Sequence, residues 1–342
     1  MKLIVVYIFS IFLFRSKGKG LHHVAILLLS ALFSMRGITV PDTEPYMDIY
    51  KAGSNYIGIE QGFLWLCDYF NSWGASFPVF VFFLSIVMLE MWYYCSCKIF
   101  GKNSVGVMAI MMLSYFGFYF YGIVLRSAIA ITLCYFGITI LFSVKRKLLA
   151  FFLYYLIVFL AFNFHQSAAL FALAPFMMIK TNPKIQYIIA IASIVLLFFT
   201  DILPIKQYVE LYTASYEDAR FGYFLERDLN TTRAGIRSIL YSVISIYSVY
   251  CASKIDSNQT DKKLINFFVN LYIWGALINS LIWELPAATR LPMNWLFFEF
   301  AVVYCVTFYN HQLIKQKRLV IVMYTIISFA VLLHSFPLIL NY

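Results

Sequence analysis

Apolar runs of membrane-spanning length recur along the whole chain, parted only by short polar breaks, and this spacing leaves no stretch that reads as a separate soluble domain. Of the 342 residues, 62% are hydrophobic and only 12% are charged. In a bilayer the backbone must satisfy its own hydrogen bonds, so the expectation is an all-α integral membrane protein, a polytopic helical bundle forming one domain over residues 1–342. The first run ends in FRSKGKG (14–20) without a small-residue cleavage site, and reads as a short retained span. Six cysteines lie mostly inside apolar runs, at spacings that fit neither a zinc site nor a disulfide framework. The net charge of +10 suits orientation signals better than nucleic acid, so the bilayer is the expected partner.

Basic clusters occur at Arg15/Lys17/Lys19, Lys98/Lys102, Lys145/Arg146/Lys147, Lys180/Lys184, Lys254/Lys262/Lys263 and Lys315/Lys317/Arg318. Placing all of them in the cytoplasm divides the chain into a span, a series of hairpins and a final span, about 12 transmembrane helices with both termini outside. Each hairpin must then turn near its midpoint. From Asn103 to Val144 the midpoint falls near Ile123 and Val124, which puts Arg126 at the outer turn. There a charge escapes the roughly 3 kcal/mol or more that it costs at the bilayer centre. Lys147 and Lys180 leave only 32 residues between them. At about 16 residues per leg each leg reaches roughly 24 Å against a core of roughly 30 Å, so the turn at NFHQS (163–167) should be sunk in a recess. From Leu264 to Ile314 the midpoint is Thr289, beside Arg290.

The two sides differ in the cation they carry. Of 16 basic residues in the cytoplasmic clusters three are arginine, whereas seven of the other ten are arginine: Arg36, Arg126, Arg220, Arg227, Arg233, Arg237 and Arg290. Lysine suffices for orientation, but the planar fork of arginine offers paired hydrogen bonds to phosphate or carboxylate. The outer face is expected to hold an anion in an external cavity. Two external loops are long enough to contribute, about 36–77 and about 204–237. The first mixes Asp42, Glu44, Asp48, Glu60 and Asp68 with tyrosines and a tryptophan. Carboxylates accept hydroxyl hydrogen bonds and ring faces pack on sugar C–H groups, although an interfacial aromatic belt has the same composition. In the second, Tyr208, Leu211, Tyr212 and Tyr216 recur at helical spacing, as in a lid lying on the membrane surface. Arg233 and Arg237 are four apart and would share a helix face.

No Walker loop, dinucleotide fingerprint or HExxH helix occurs, and His22/His23, His311 and His334 are scattered, so neither a cofactor nor a bound metal is expected. Arginines, one submerged histidine and a few carboxylates fit group transfer from a lipid-linked diphosphate, with arginine neutralising the departing pyrophosphate and a carboxylate or histidine taking the hydroxyl proton. They also fit a transporter of an anionic lipid-linked sugar, although a carrier would place charges near mid-membrane and often shows internal repeats. Composition leaves both open.

Several motifs in order resemble one family: LFRSKGKG; RGITVPDTEPYMDIY, followed by EQGFLWL; GIVLRSAIAITL and, after a basic turn, NFHQSAALFALAPF; and a late ATRLPMNWLFFEF. Together they look like the EpsG family of Wzy-type polysaccharide polymerases. The pattern departs at VPDTEPY, where the family would bring a glycine closer to Asp42. The resemblance implies a GT-C-like membrane glycosyltransferase of the bacterial inner membrane, its site facing the periplasm or outside. It would join repeat units of O-antigen, capsule or exopolysaccharide, with undecaprenyl-pyrophosphate-linked glycans as donor and acceptor and a chain-length regulator protein as a further partner. On this resemblance His165, Glu60 and Asp42 are the candidate catalytic residues, with His165 or Glu60 as base. Arg126 and Arg290 would grip pyrophosphate, and Arg36, Arg220, Arg233 and Arg237 would add anion contacts. A flippase of lipid-linked oligosaccharide and an O-antigen ligase are the alternatives.

Overall fold

A computed structural model describes residues 20–38, 40–199, 231–255, 259–283, 290–309, 322–328 and 330. Among these residues the regular structure is all helical. The first apolar run and most of the 204–237 segment, with Arg220 and Arg227, lie outside the described residues. The chain forms two compact units, Met1–Ala172 with Met323–Tyr342, and Leu173–Val322.

The first unit contains α1 (Leu21–Ser34), α2 (Thr43–Ala52), α3 (Gln61–Ser72), α4 (Phe77–Phe100), α5 (Ser104–Leu113), α6 (Tyr115–Gly122), α7 (Leu125–Ser143) and α8 (Lys147–Phe162), followed by a 3-10 segment, Gln166–Met178, that continues into the second. The second holds α9 (Pro183–Phe198), α10 (Thr231–Ser253), α11 (Gln259–Ile282), α12 (Arg290–Leu296) and α13 (Glu299–Tyr309). Among the described residues, Phe77–Leu113, Leu125–Ser143, Gly235–Ser253 and Lys262–Ile282 are long and apolar enough to cross a membrane. Leu21–Ser34, Lys147–Phe162, Gln166–Met178, Pro183–Phe198 and Leu291–Cys305 are apolar but shorter. The chain is thus a helical integral membrane protein.

The helix breaks fall where charge and turn residues put them. Ser76 precedes α4 in extended conformation with Pro78 in its first turn, and Gly101, at φ 56°, ends it beside Lys98 and Lys102. The α6–α7 break at Ile123 and Val124 coincides with the hairpin midpoint read from the basic clusters, and the α8 turn falls at Asn163–His165. The return from that turn is 3-10 rather than α over 13 residues. At a rise of roughly 2.0 Å instead of 1.5 Å it covers about 26 Å where an α-helix would cover about 20 Å, which lets a short segment reach further.

In this unit α7 packs against both α4 and α8, and α1 lies along α4. Thr132 binds the helices together. Its hydroxyl donates to the Ala128 carbonyl at 2.6 Å and accepts from Trp92 Nε1 at 2.7 Å, and Tyr121 Oη lies 3.3 Å away. Gly137 lets the ring of Tyr154 on α8 come close to α7. This packing fixes the start of α7 and the end of α8, the two places where candidate residues sit.

Candidate active site

Glu60 is the N-cap of α3, in extended conformation, and its side chain does not cap its own helix. It turns to two other segments. Its Oε1 accepts from His165 Nδ1 at 3.1 Å and from the Gln166 backbone N–H at 3.2 Å, and its Oε2 is ion-paired with Arg126 Nη1. An ionised carboxylate can only accept, so the imidazole hydrogen sits on Nδ1 and leaves Nε2 as the available acceptor. The side chains of Glu60, His165 and Arg126 are 11%, 16% and 20% exposed. Burial pushes the Glu60 carboxyl up, but the His165 hydrogen bond and the neighbouring Arg126 charge outweigh it and hold the group down at about 2, against an ordinary 4.5.

The glycine of EQG makes this meeting possible. The Gly62 backbone N–H donates to the Asn163 carbonyl at 2.9 Å, and a β-carbon at position 62 would stand 2.7 Å from that same oxygen. Only a residue without a side chain lets α3 approach the α8 turn this closely. His165 is held in turn by its own backbone N–H, which donates to the Ala161 carbonyl at 3.0 Å.

Arg126 stands in the first turn of α7, where the helix dipole already carries positive charge. Glu60 offsets that charge, and the Arg126 Nε has no hydrogen-bond partner among the described residues. Tyr46, from α2, accepts the Arg126 backbone N–H at 3.4 Å. Arg36 has a different setting. Only 7% exposed, it donates through Nη1 to the carbonyls of Gly122 and Ile123 at 3.3 and 3.2 Å, and its guanidinium lies over the rings of Tyr46 and Phe77. It therefore closes the C-terminal end of α6 and shapes the break that positions Arg126. Asp42 begins α2 with φ 63°, an unusual backbone for a non-glycine residue, and its side chain makes no capping hydrogen bond.

On the far side of α3 from buried Phe63, Leu64 and Cys67, the rings of Trp65, Tyr69 and Trp73 recur every four residues. Their centroids are 5.7 and 4.7 Å apart, and all three are exposed. Such a strip offers ring faces to sugar C–H groups or to a membrane interface. Arg233 and Arg237 fall one turn apart on α10 and Arg290 opens α12, all in the second unit.

The structure thus brings together Glu60, His165 and Arg126, with Arg36 behind them and Asp42 at the start of the helix that supplies Tyr46. Sequence reasoning did not single out Gly62, Tyr46 or the Gln166 amide. The available signal was Gly62 two residues after Glu60 and Gln166 next to His165. Among the described residues no group of three histidine, cysteine, aspartate or glutamate side chains is placed to hold a metal ion. In comparisons with known proteins, the model of the EpsG family matches residues 21–342. No curated protein and no solved structure matches the chain.

Proposed function

This chain belongs to the EpsG family, a family of Wzy-like polymerases, and on that premise we propose that it joins undecaprenyl-pyrophosphate-linked oligosaccharide repeat units into O-antigen, capsule or exopolysaccharide. In this reading it sits in the bacterial inner membrane with about twelve spans, GT-C-like, and an external cavity receives both lipid-linked glycans. The observation that carries the reading is one carboxylate, Glu60, held between His165 and Arg126 at the meeting of α3, α7 and the α8 turn.

The acceptor's non-reducing-end hydroxyl attacks the anomeric carbon of the donor. A new C–O bond forms, the bond to pyrophosphate breaks, and undecaprenyl pyrophosphate leaves with the electron pair. The hydroxyl proton passes to Nε2 of His165. Glu60 is a weak base with its carboxyl at about 2, so its part is to orient the imidazole and to balance the charge that develops there. Arg126 binds the pyrophosphate, its Nε supplying a donor not already engaged, and Arg290, at the start of α12, is a further candidate for an anion. Arg36 acts as a positioning residue, and Asp42 sets the start of the helix that carries Tyr46; Arg220, Arg233 and Arg237 stay candidates for anion contacts by sequence alone. The ring faces of Trp65, Tyr69 and Trp73 give the glycan a stacking surface on the helix that begins at Glu60.

A glycan gel of the source bacterium tests this, with the gene deleted and then complemented. Deletion collapses the ladder to core plus one repeat unit, wild type restores it, and Arg126→Ala and His165→Ala, present at normal levels, do not. Arg126→Lys also fails if the paired fork matters. A full ladder from Arg126→Ala would overturn the assignment, and loss of even the single unit on deletion would point to a flippase or ligase.

A further inference from the structure

At the lysine-rich end of the second unit, α9, α10 and α11 enclose a cavity of about 570 Å³. Lys180, Lys262 and Lys263 line it together with Thr181, Gln186 and Asn266. Lys180, Lys262 and Lys263 are the charged side chains in this lining, so the lining is positive. Pro183 at the first turn of α9 also lines the cavity, and Lys262 and Lys263 sit in the opening turns of α11, so the positive ends of two helix dipoles add to the ammonium charges.

The floor is held without any ligand. Gln186 Nε2 donates to Asn266 Oδ1 at 3.2 Å and to Asn270 Oδ1 at 2.8 Å. Asn266 Nδ2 donates to the Ile179 carbonyl at 3.0 Å, and Asn270 Nδ2 reaches the Met177 carbonyl at 3.0 Å and Thr181 Oγ1 at 3.1 Å. Gln186 and Asn270 are buried and the bond between them lies out of water, and the whole network ties α9 and the Met177–Thr181 stretch to α11. Part of the wall is apolar, from Met178, Ile255 and Ile265. Lysines at the mouth, a fixed amide floor and an apolar side describe an amphiphile: a phosphate joined to hydrocarbon.

We propose that this cavity binds the phosphate of an anionic phospholipid, its headgroup among Lys180, Lys262 and Lys263 and its first chain carbons against Met178, Ile255 and Ile265. The site shares no residue with the Glu60 cluster, and the proposal stands independently of the polymerase reading. A lipid and a free phosphate share the anion chemistry, but only the lipid uses the apolar wall.

The test is thermal unfolding of the full-length protein in neutral detergent, with mixed micelles of phosphatidylglycerol or phosphatidylcholine, or with inorganic phosphate. Phosphatidylglycerol should raise Tm by several degrees, in a manner weakened by salt, while phosphatidylcholine and inorganic phosphate leave it unchanged. A Lys180→Ala/Lys262→Ala/Lys263→Ala variant with unaltered Tm in phosphatidylcholine should lose the shift. No shift with phosphatidylglycerol, or one that survives in the variant, would overturn the proposal. An equal shift from inorganic phosphate would also overturn it, by making the ligand a soluble anion. Native mass spectrometry of the wild type needs no variant: several-fold preferred retention of phosphatidylglycerol supports the site, and equal retention of both lipids refutes it.

Discussion

Glu60 carries two obligations at once, and its titration exposes them. Its folded carboxyl, at about 2, lies below the ordinary 4.5, so it contributes stability that is fully present above pH 4.5 and is lost as pH falls toward 2. The difference corresponds to roughly 3 kcal/mol. Glu60→Gln should therefore unfold at lower temperature than wild type at pH 7, since it leaves Arg126 buried without its counter-charge. The gap should narrow as pH drops from 4.5 to 3. Thermal unfolding of the two proteins across that range checks this, and an unchanged gap at pH 3 would remove Glu60 from the account. The three residue types of the cluster were legible in the sequence because arginine, glutamate and histidine are conspicuous at the ends of apolar runs. Their joining was not, because residues 66 and 105 positions apart meet only through tertiary packing. The setting of Arg36 was hidden for the same reason: an arginine that closes a helix end reads, in sequence, like one that awaits an anion.

At the scale of elements, the docking of α3 on the α8 turn decides whether the cluster exists. Gly62→Ala places a β-carbon 2.7 Å from the Asn163 carbonyl oxygen, and backbone on both sides leaves little room to yield. The overpacking should cost about 1–3 kcal/mol and draw Glu60 away from His165, so that polymer length falls even where protein levels hold. Gly106→Ala on α5, where nothing lies within 4 Å, is the control and should be silent. If both variants made wild-type ladders, the close approach of Gly62 would have no functional weight. Two hairpin turns, at Ile123–Val124 and at Asn163–His165, were legible because lysine clusters punctuate the chain and a hairpin must turn near its midpoint, whereas the midpoint at Thr289 lies outside the described residues. The 3-10 form of Gln166–Met178 was not, since nothing in its apolar composition separates 3-10 from α. Nor was the break between α5 and α6, where the Ser114 hydroxyl accepts the Gly117 N–H at 2.9 Å and starts a new helix.

For the whole molecule the open geometry is one of sides. Arg126 begins α7 and the Lys145/Arg146/Lys147 cluster follows its end, 19 helical residues away. His165 likewise follows α8, which begins at Lys147 and runs 16 residues. At 1.5 Å per residue these are separations of about 28 and 24 Å, nearly a bilayer core. The candidate site and the lysine cluster therefore stand nearly a bilayer core apart along these two helices, and from the lysine bias we infer a cytoplasmic cluster with the site on the opposite face. Labelling with a membrane-impermeant maleimide tests that assignment. Most of the described native cysteines are buried and Cys97 is half-buried, so a cysteine-free background is the starting point. Ile57, 89% exposed in the segment leading to Glu60, and exposed Lys145 are the reporters. Ile57→Cys should label in intact spheroplasts and Lys145→Cys only after permeabilisation. The reverse pattern would put Glu60, His165 and Arg126 on the cytoplasmic face. A polymerase acting on units already carried outward would then never meet its substrates, and the proposed reaction would fall with the orientation.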